Sequence, residues 1–249
     1  DRMLDMGFLD DIMQIIGHLP KERQTLLFSA TMPPKIQQLA SNILNNPAEG
    51  KLAVSKPAEK IHQMAYVCYD TQKIPILKKL FKQTPPQRVV IFSSSKLKVK
   101  ELTKAIRQLG IKVAEMHSDL DQPSRDEVMV KFKAGKVNVV VATDILARGI
   151  DINNIETVIN FDVPHEAEDY VHRIGRTARA EKEGEAITFI NEKEIGKFKM
   201  IERLLEKEVE KMPIDAELGE TPSYERKGIT NPRRSKGPSR RKGNERGNG

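Results

Sequence analysis

The residues of this chain best suited to chemistry lie in one short run, Tyr170-Val171-His172-Arg173-Ile174-Gly175-Arg176-Thr177-Ala178-Arg179. On a helix that persists through the run, His172 and Arg176 stand at i, i+4 and Arg176 and Arg179 at i, i+3, so all three share a face. Cations so placed repel one another and become favourable opposite a polyanion, whose phosphate oxygens match guanidinium forks. A solvated basic helix end, favoured by the helix dipole, is the alternative. A second run, Ala142-Thr143-Asp144-Ile145-Leu146-Ala147-Arg148-Gly149-Ile150-Asp151, follows an apolar stretch. Gly149 permits a tight turn or close ligand approach, and Asp151 is a candidate acceptor for ribose hydroxyls. The alternative is a capped strand-to-helix turn with a structural Asp–Arg pair. In a third cluster, Ser29-Ala30-Thr31, two hydroxyls flank a small residue; by itself it carries little.

Five apolar runs end in small polar residues, and these are the elements that would position such groups. They are Thr25–Thr31, Val89–Ser95, Val113–Asp119, Val139–Asp144 and Val158–Asp162. Helical periods lie between them. Ile36, Leu39, Ala40, Ile43 and Leu44 follow Pro33-Pro34, a helix-start signal, and Val99, Leu102, Ile106 and Leu109 close on Gly110, a C-cap candidate. Apolar strands alternating with amphipathic helices predict an α/β fold, a parallel sheet covered on both faces. Ligands of such sheets bind beyond the carboxyl ends of the strands, where this chain repeatedly places Ser, Thr, Asp and His. Each of those residues also serves as a turn former or N-cap.

Composition narrows the classes. Of 249 residues 38% are hydrophobic, 5% are aromatic and none is Trp, so the core rests on Ile, Leu, Val and Met. No stretch of 18 apolar residues is present to span a membrane. One cysteine, Cys68, excludes a disulfide scaffold or a Cys-based zinc module. Reducing, intracellular conditions fit it, and a cytoplasmic location is the expectation. Residues 228–249 carry +6 of the net +7, so the rest of the chain is near neutral. The composition of that tail predicts disorder. It reads either as an electrostatic arm gaining nucleic-acid affinity by counterion release or as a solubilising tail. It lacks the interleaved large apolar residues of a membrane-surface segment.

Taken together and in order, the motifs resemble the C-terminal half of a DEAD-box RNA helicase, of a bacterial RhlE-like branch. Asp1 matches the last residue of Asp-Glu-Ala-Asp and is followed by Arg2-Met3-Leu4-Asp5-Met6-Gly7-Phe8; Ser29-Ala30-Thr31 matches the Ser-Ala-Thr motif. Ile91-Phe92-Ser93 resembles the fourth motif, with Gln122 and Arg125 as its Gln-x-x-Arg extension. Ala142-Thr143-Asp144 with Ala147-Arg148-Gly149 and Asp151 matches the fifth, and His172-Arg173-Ile174-Gly175-Arg176-Thr177 the sixth. The resemblance covers residues 1 to about 213. Two positions depart from it: Ala178 and Ser118 stand where the family has Gly.

The resemblance implies a RecA-like parallel sheet with helices on both faces. It implies three parts: residues 1–50 as the end of a first RecA-like domain, 58–213 as a second, and 214–249 as a basic disordered tail, with a linker between Pro47 and Pro57. It implies ATP with Mg2+ as cofactor and RNA as partner, gripped through its backbone with little sequence preference. Arg176 and Arg179 would be arginine fingers at the γ-phosphate, while Asp151 and Gly149 lie at the nucleotide. His172, Asp1, Ser29 and Thr31 would couple ATP to RNA; Ser93, Arg125, Thr143, Asp144, Arg148 and Gly149 would meet the RNA backbone. No protein metal ligand is expected in this chain. No Gly-x-x-x-x-Gly-Lys-Ser/Thr occurs among its 15 glycines, so the phosphate loop, the water-activating Glu and the metal site are expected upstream of Asp1. A fragment inactive in ATP hydrolysis by itself is the corresponding expectation. A non-enzymatic RNA-binding module and a DNA helicase of the same superfamily are the rival readings.

Overall fold

A computed structural model describes residues 8–28, 34–50, 60–144, 155–177 and 183–225. The chain divides into two compact units, residues 1–56 and 57–249.

The first unit contributes two helices, α1 (Leu9–Gly17) and α2 (Pro34–Ile43). On α2 the predicted apolar stripe turns inward at Ile36 and Leu39. The run beginning at Thr25 differs from expectation. Residues 25–28 form no strand, and Phe28 is 90% exposed. A strand needs a neighbour for its N–H and C=O groups, and among the described residues of this unit there is none.

The second unit is built on seven parallel strands: β1 (Ile61–Val67), β2 (Val89–Ser93), β3 (Val113–Met116), β4 (Val139–Thr143), β5 (Thr157–Asn160), β6 (Gly184–Ile190) and β7 (Glu210–Lys211). Their order across the sheet is β3-β4-β2-β5-β6-β1-β7. Between them run α3 (Asp70–Gln83), α4 (Lys96–Arg107), α5 (Gln122–Lys133), α6 (Ala167–Ile174) and α7 (Ile195–Leu205).

The continuous apolar character of the strands follows from burial on both faces. Val90, Phe92, Val140, Ala142 and Val158 face one layer, with Phe132 of α5, Tyr170 and Ile174 of α6, and Phe198 and Ile201 of α7. Their neighbours Val89, Ile91, Val139, Val141 and Ile159 face the other, with Ile76, Leu77 and Phe81 of α3 and Val99, Leu102 and Ile106 of α4. The two-residue alternation of the strands thus sorts the helices into two layers. Ser95 caps α4, its hydroxyl accepting from the Lys98 amide at 3.3 Å, and Gly110 turns the chain beyond the helix at φ +76°.

Residues 214–225 depart from the expected tail. A 3₁₀ turn at Ala216–Leu218 packs against α3. Gln72 donates to the carbonyls of Leu218 (2.7 Å) and Glu220 (3.0 Å), Lys79 pairs with Asp215, and the Tyr224 hydroxyl bonds Glu202. Ile214, Leu218 and Tyr224 supply apolar surface to these contacts, which the charge pattern of the tail did not foreshadow. Residues 226–249 lie outside the described residues.

Candidate functional site

The chain leaves β2 through α4 toward β3, and leaves β5 through α6, on the opposite face, toward β6. A crevice at the carboxyl ends of β2 and β5 is the geometric result, and in open parallel sheets this is where ligands bind. The register pairs Ser93 of β2 with Thr143 of β4, so two residues from different motifs stand side by side at this edge.

Arg173 ties the edge together. Its guanidinium is 5% exposed and grips Asp144 in a fork, Nε to Oδ1 at 2.6 Å and Nη2 to Oδ2 at 2.7 Å. Nη1 donates to Asn160 Oδ1 and to the Asp162 carbonyl, both at 3.0 Å, and the group lies 5.2 Å from the centre of the Phe92 ring. One side chain from α6 therefore fixes the ends of β4 and β5 against β2. Asp144 is thus paired with an arginine of the other motif, while Arg148 of its own motif lies outside the described residues. Both oxygens of Asp144 are engaged by that fork.

The helix carrying Arg173 ends at Ile174, earlier than a shared His172–Arg176–Arg179 face requires. Gly175 follows, and a Cβ there would lie 3.0 Å from the Val171 carbonyl, a fit suited to glycine. The amides of Arg176 and Thr177 bond to the carbonyls three residues back, at 3.1 and 3.0 Å. Thr177 is buried and its hydroxyl donates toward the Ile155 carbonyl at 2.6 Å. Half-buried Arg176 is thus held between two anchored neighbours, and His172 stands half-buried on the last turn of α6.

A second group of charges fills the crevice. Asp162, 2% exposed, accepts from Ser93 Oγ (3.0 Å), the Ser94 amide (2.8 Å), Lys98 Nζ (2.7 Å) and Lys73 Nζ (3.4 Å). Lys73, fully buried, also meets Asp70 at 3.0 Å and Glu194 at 3.1 Å. Burial by itself would raise the Asp162 carboxyl, but the bonds from Lys98 and Ser94 and the charge of Lys73 outweigh it and hold the group well below the usual carboxylate range. Burial by itself would lower the Lys73 ammonium; Glu194, Asp162 and Asp70 reverse the direction and raise it above the usual lysine value. Ser93 is fully buried and its hydroxyl is committed to Asp162. The sequence reading missed Asp162, Lys73 and Arg173. An Asp directly after an apolar run was the available signal for the first, while a lysine inside an amphipathic helix gave none.

Beyond β3, the turn at His117 carries unspent donors. Arg125 reaches Gln122 Oε1 at 3.5 Å and the Ser118 carbonyl at 3.4 Å, both at the limit of hydrogen bonding. Its buried Nε has no hydrogen-bond partner, and Nε2 of His117 has only the Glu115 carboxylate at 3.6 Å, beyond hydrogen-bond distance. Buried donors left unpaired are costly, and a phosphate oxygen is a fitting acceptor for an arginine. Asp1, Ser29, Thr31, Arg148, Gly149, Asp151 and Arg179 lie outside the described residues. Among the described residues no group of three or more metal-ligating side chains is placed to hold an ion, and no helix is long and apolar enough to cross a membrane.

The comparisons agree with this arrangement. The profile of the helicase conserved C-terminal domain matches residues 72–181, and that of the DEAD/DEAH box helicases matches residues 1–39. A DEAD-box ATP-dependent RNA helicase of Geobacillus kaustophilus, CshA, is 43% identical over 213 residues, 85% of this chain and 46% of its own length. The chain thus spans about half the length of the curated relatives it matches, and the relatives compared are named CshA rather than RhlE. The crystal structure of the E. coli DEAD-box protein SrmB bound to the regulator RraA is 34% identical with a TM-score of 0.60, covering 65% of this chain and 96% of that one. S. cerevisiae Dbp5 bound to RNA and ADP BeF3 superposes with a TM-score of 0.73 at 29% identity, over 83% of this chain and 56% of that one. With the motifs in order, the strand-end network built from two of them and these relatives in agreement, the chain belongs to the DEAD-box helicase family.

Proposed function

We propose that the protein is an RNA-stimulated ATPase that uses ATP with Mg2+ to separate short RNA duplexes, and that this chain supplies its second RecA-like domain. One observation carries the reading. The Arg173 fork joins Asp144, from the motif assigned to RNA, to the end of α6, which carries His172 and leads directly into Arg176, the residue assigned to the nucleotide. A shift at either group is thereby felt at the other, which is the physical requirement for positive coupling between two ligands.

Each chemical part has a residue. Phosphoryl transfer needs charge neutralisation and positioning more than covalent chemistry. Arg176, fixed between Arg173 and Thr177, is suited to meet the γ-phosphate, a role that the family resemblance extends to Arg179, while Asp151 and Gly149 take the ribose side. ATP with its Mg2+ supplies the transferable phosphoryl group and leaving group, and the donors here orient it. Arg125, with its unspent Nε, and Thr143 and Arg148 meet RNA phosphates. Asp144 contributes through Arg173, and Ser93 through the turn it anchors. His172, with Asp1, Ser29 and Thr31, couples the two ligands. Backbone contacts imply little sequence preference, and the basic tail adds affinity. Cytoplasmic RNA is the substrate pool that this reading implies.

The test is ATP turnover by the full-length protein with and without single-stranded RNA. RNA is expected to raise turnover and to tighten nucleotide binding, and Arg176→Ala to lower kcat by roughly 10³-fold or more. RNA binding that neither alters nor responds to nucleotide would overturn the reading and leave a non-enzymatic RNA-binding module. Equal stimulation by DNA and RNA would leave a nucleic-acid helicase without the RNA preference.

A further inference from the structure

Asp162 belongs to none of the motifs that carry the assigned chemistry, yet it is the most heavily used carboxylate in the crevice. Four donors from three separate segments converge on it: Ser93 and Ser94 at the end of β2, Lys98 on α4 and Lys73 on α3. Stability alone does not account for the cluster, since well-packed apolar side chains of similar volume commonly stabilise a fold as much. What the cluster does supply is direction. Ser93 Oγ and the Ser94 amide both point at one carboxylate oxygen, Oδ2, so the backbone is pinned where β2 ends and α4 begins. The next residue, Ser95, caps α4. The three-serine turn therefore has a fixed partner at every step, and the residue left exposed on it is Ser94. The carbonyl of the same Asp162 is held by Arg173, which links this turn to the end of β4.

We propose that Asp162 is a positioning residue for RNA: it acts through the Ser93–Ser95 turn, setting the angle at which that turn meets the RNA backbone. The proposal rests on the RNA-helicase reading above. Lys73 and Glu194 serve as its counterweights. Lys73 neutralises Asp162 at Oδ1, the oxygen that the turn does not use, and Glu194 balances Lys73 while accepting from the amides of Val163 and Asn191 rather than from the serine turn.

That division supplies the experiment. In the full-length protein, the RNA concentration giving half-maximal ATPase stimulation is measured for wild type, Asp162→Asn, Asp162→Glu and Glu194→Gln, together with kcat at saturating RNA, the KM for ATP and the thermal midpoint. Asp162→Asn is expected to raise half-saturating RNA about tenfold while kcat and the KM for ATP stay within twofold. Asp162→Glu, which keeps the charge opposite Lys73 and Lys98 but moves the acceptor by one methylene, is expected to fall between Asn and wild type. Glu194→Gln is expected to lower the thermal midpoint and leave half-saturating RNA within twofold. If Asp162→Asn does not fold, the comparison of Asp162→Glu with Glu194→Gln decides the same question. Unchanged half-saturation in the Asp162 variants, or an equal shift in Glu194→Gln, would show a network that only stabilises and would overturn the proposal with the helicase reading intact. A wild-type protein without RNA stimulation would instead overturn the helicase reading and the proposal with it.

Discussion

Replacing Arg173 by alanine tests the strand-end network most directly. Its guanidinium is nearly inaccessible and makes four hydrogen bonds at 2.6–3.0 Å. Truncation strands the Asp144 carboxylate, which is 25% exposed and partly rescued by water, and also Asn160 Oδ1 and the Asp162 carbonyl, which have no such access. Breaking a buried ion pair from one side costs about 3–5 kcal/mol. The partial exposure of Asp144 argues for the lower half of that range, and the two neutral acceptors add about 1 kcal/mol each. A loss of about 5 kcal/mol, at about 2–4 °C per kcal/mol for a domain of this size, lowers the thermal midpoint by roughly 10–20 °C. Arg173→Lys keeps the charge but not the planar fork, and is expected to lose about half as much. Adding Asp144→Ala to Arg173→Ala removes the stranded carboxylate and is expected to restore about 1–2 kcal/mol. Differential scanning calorimetry of the three variants is the assay. A midpoint shift below about 2 °C for Arg173→Ala, or a double variant no more stable than Arg173→Ala, would refute the reasoning.

Other outcomes follow from the same geometry. Arg125→Ala, which removes contacts already at the limit of hydrogen bonding, is expected to cost under about 1 kcal/mol of stability; it should reduce the salt slope of RNA binding by about 0.7, read by fluorescence anisotropy at several salt concentrations. Cys68 is fully buried and its thiol is pushed up to about 12, chiefly by burial. It is expected to resist iodoacetamide at pH 8 until denaturant is added, and mass spectrometry reads the adduct. Because Asp162 titrates below its unfolded range, its contribution to stability is complete above that range and lost as pH falls through it. Asp162→Asn should therefore flatten the acid limb of stability below about pH 4, measured by urea midpoints from pH 3 to 6. Deleting residues 228–249, with seven basic side chains, is expected to weaken RNA binding and flatten its salt slope by up to about 5 for single strands. Unchanged affinity would leave the tail a solubilising role.

Much of the sheet was legible because parallel strands buried on both faces carry continuous apolar runs. Val89–Ser93, Val113–Met116, Val139–Thr143 and Val158–Asn160 all follow that rule. β6 was harder, since Gly184-Glu185-Ala186-Ile187-Thr188 mixes polar and apolar residues, and two-residue β7 has no periodicity to read. The run after Thr25 has the composition of a strand without a partner among the described residues of its unit. At the site, residue types in motifs were legible and their bonding was not. Ser93 and Asp144 read as RNA ligands through the family resemblance, and each proved to be bonded to a charged side chain far away in sequence. Arg173 stood inside the motif but was passed over, because helical spacing groups His172 with Arg176 and puts Arg173 on the other side. Long-range partners such as Asp144 for Arg173, 29 positions apart, leave no trace in local spacing.

The place of β1 in the sheet has a consequence for how the domain is made. β1 lies between β6 and β7, with Ile61 opposite Gly184 and Met64 opposite Glu210. On a ribosome adding about 5–20 residues per second, β1 waits roughly 6–25 s for its first neighbour. The strands β2 to β5 find theirs sooner, for Val89 pairs with Val139 and Thr157. The nascent domain thus carries an apolar strand with both edges open, the kind of segment that recruits foreign strands. Closure is a late, non-local event that waits on the last 30 residues of the sheet, so slow folding and dependence on chaperones at high expression are built into the strand order.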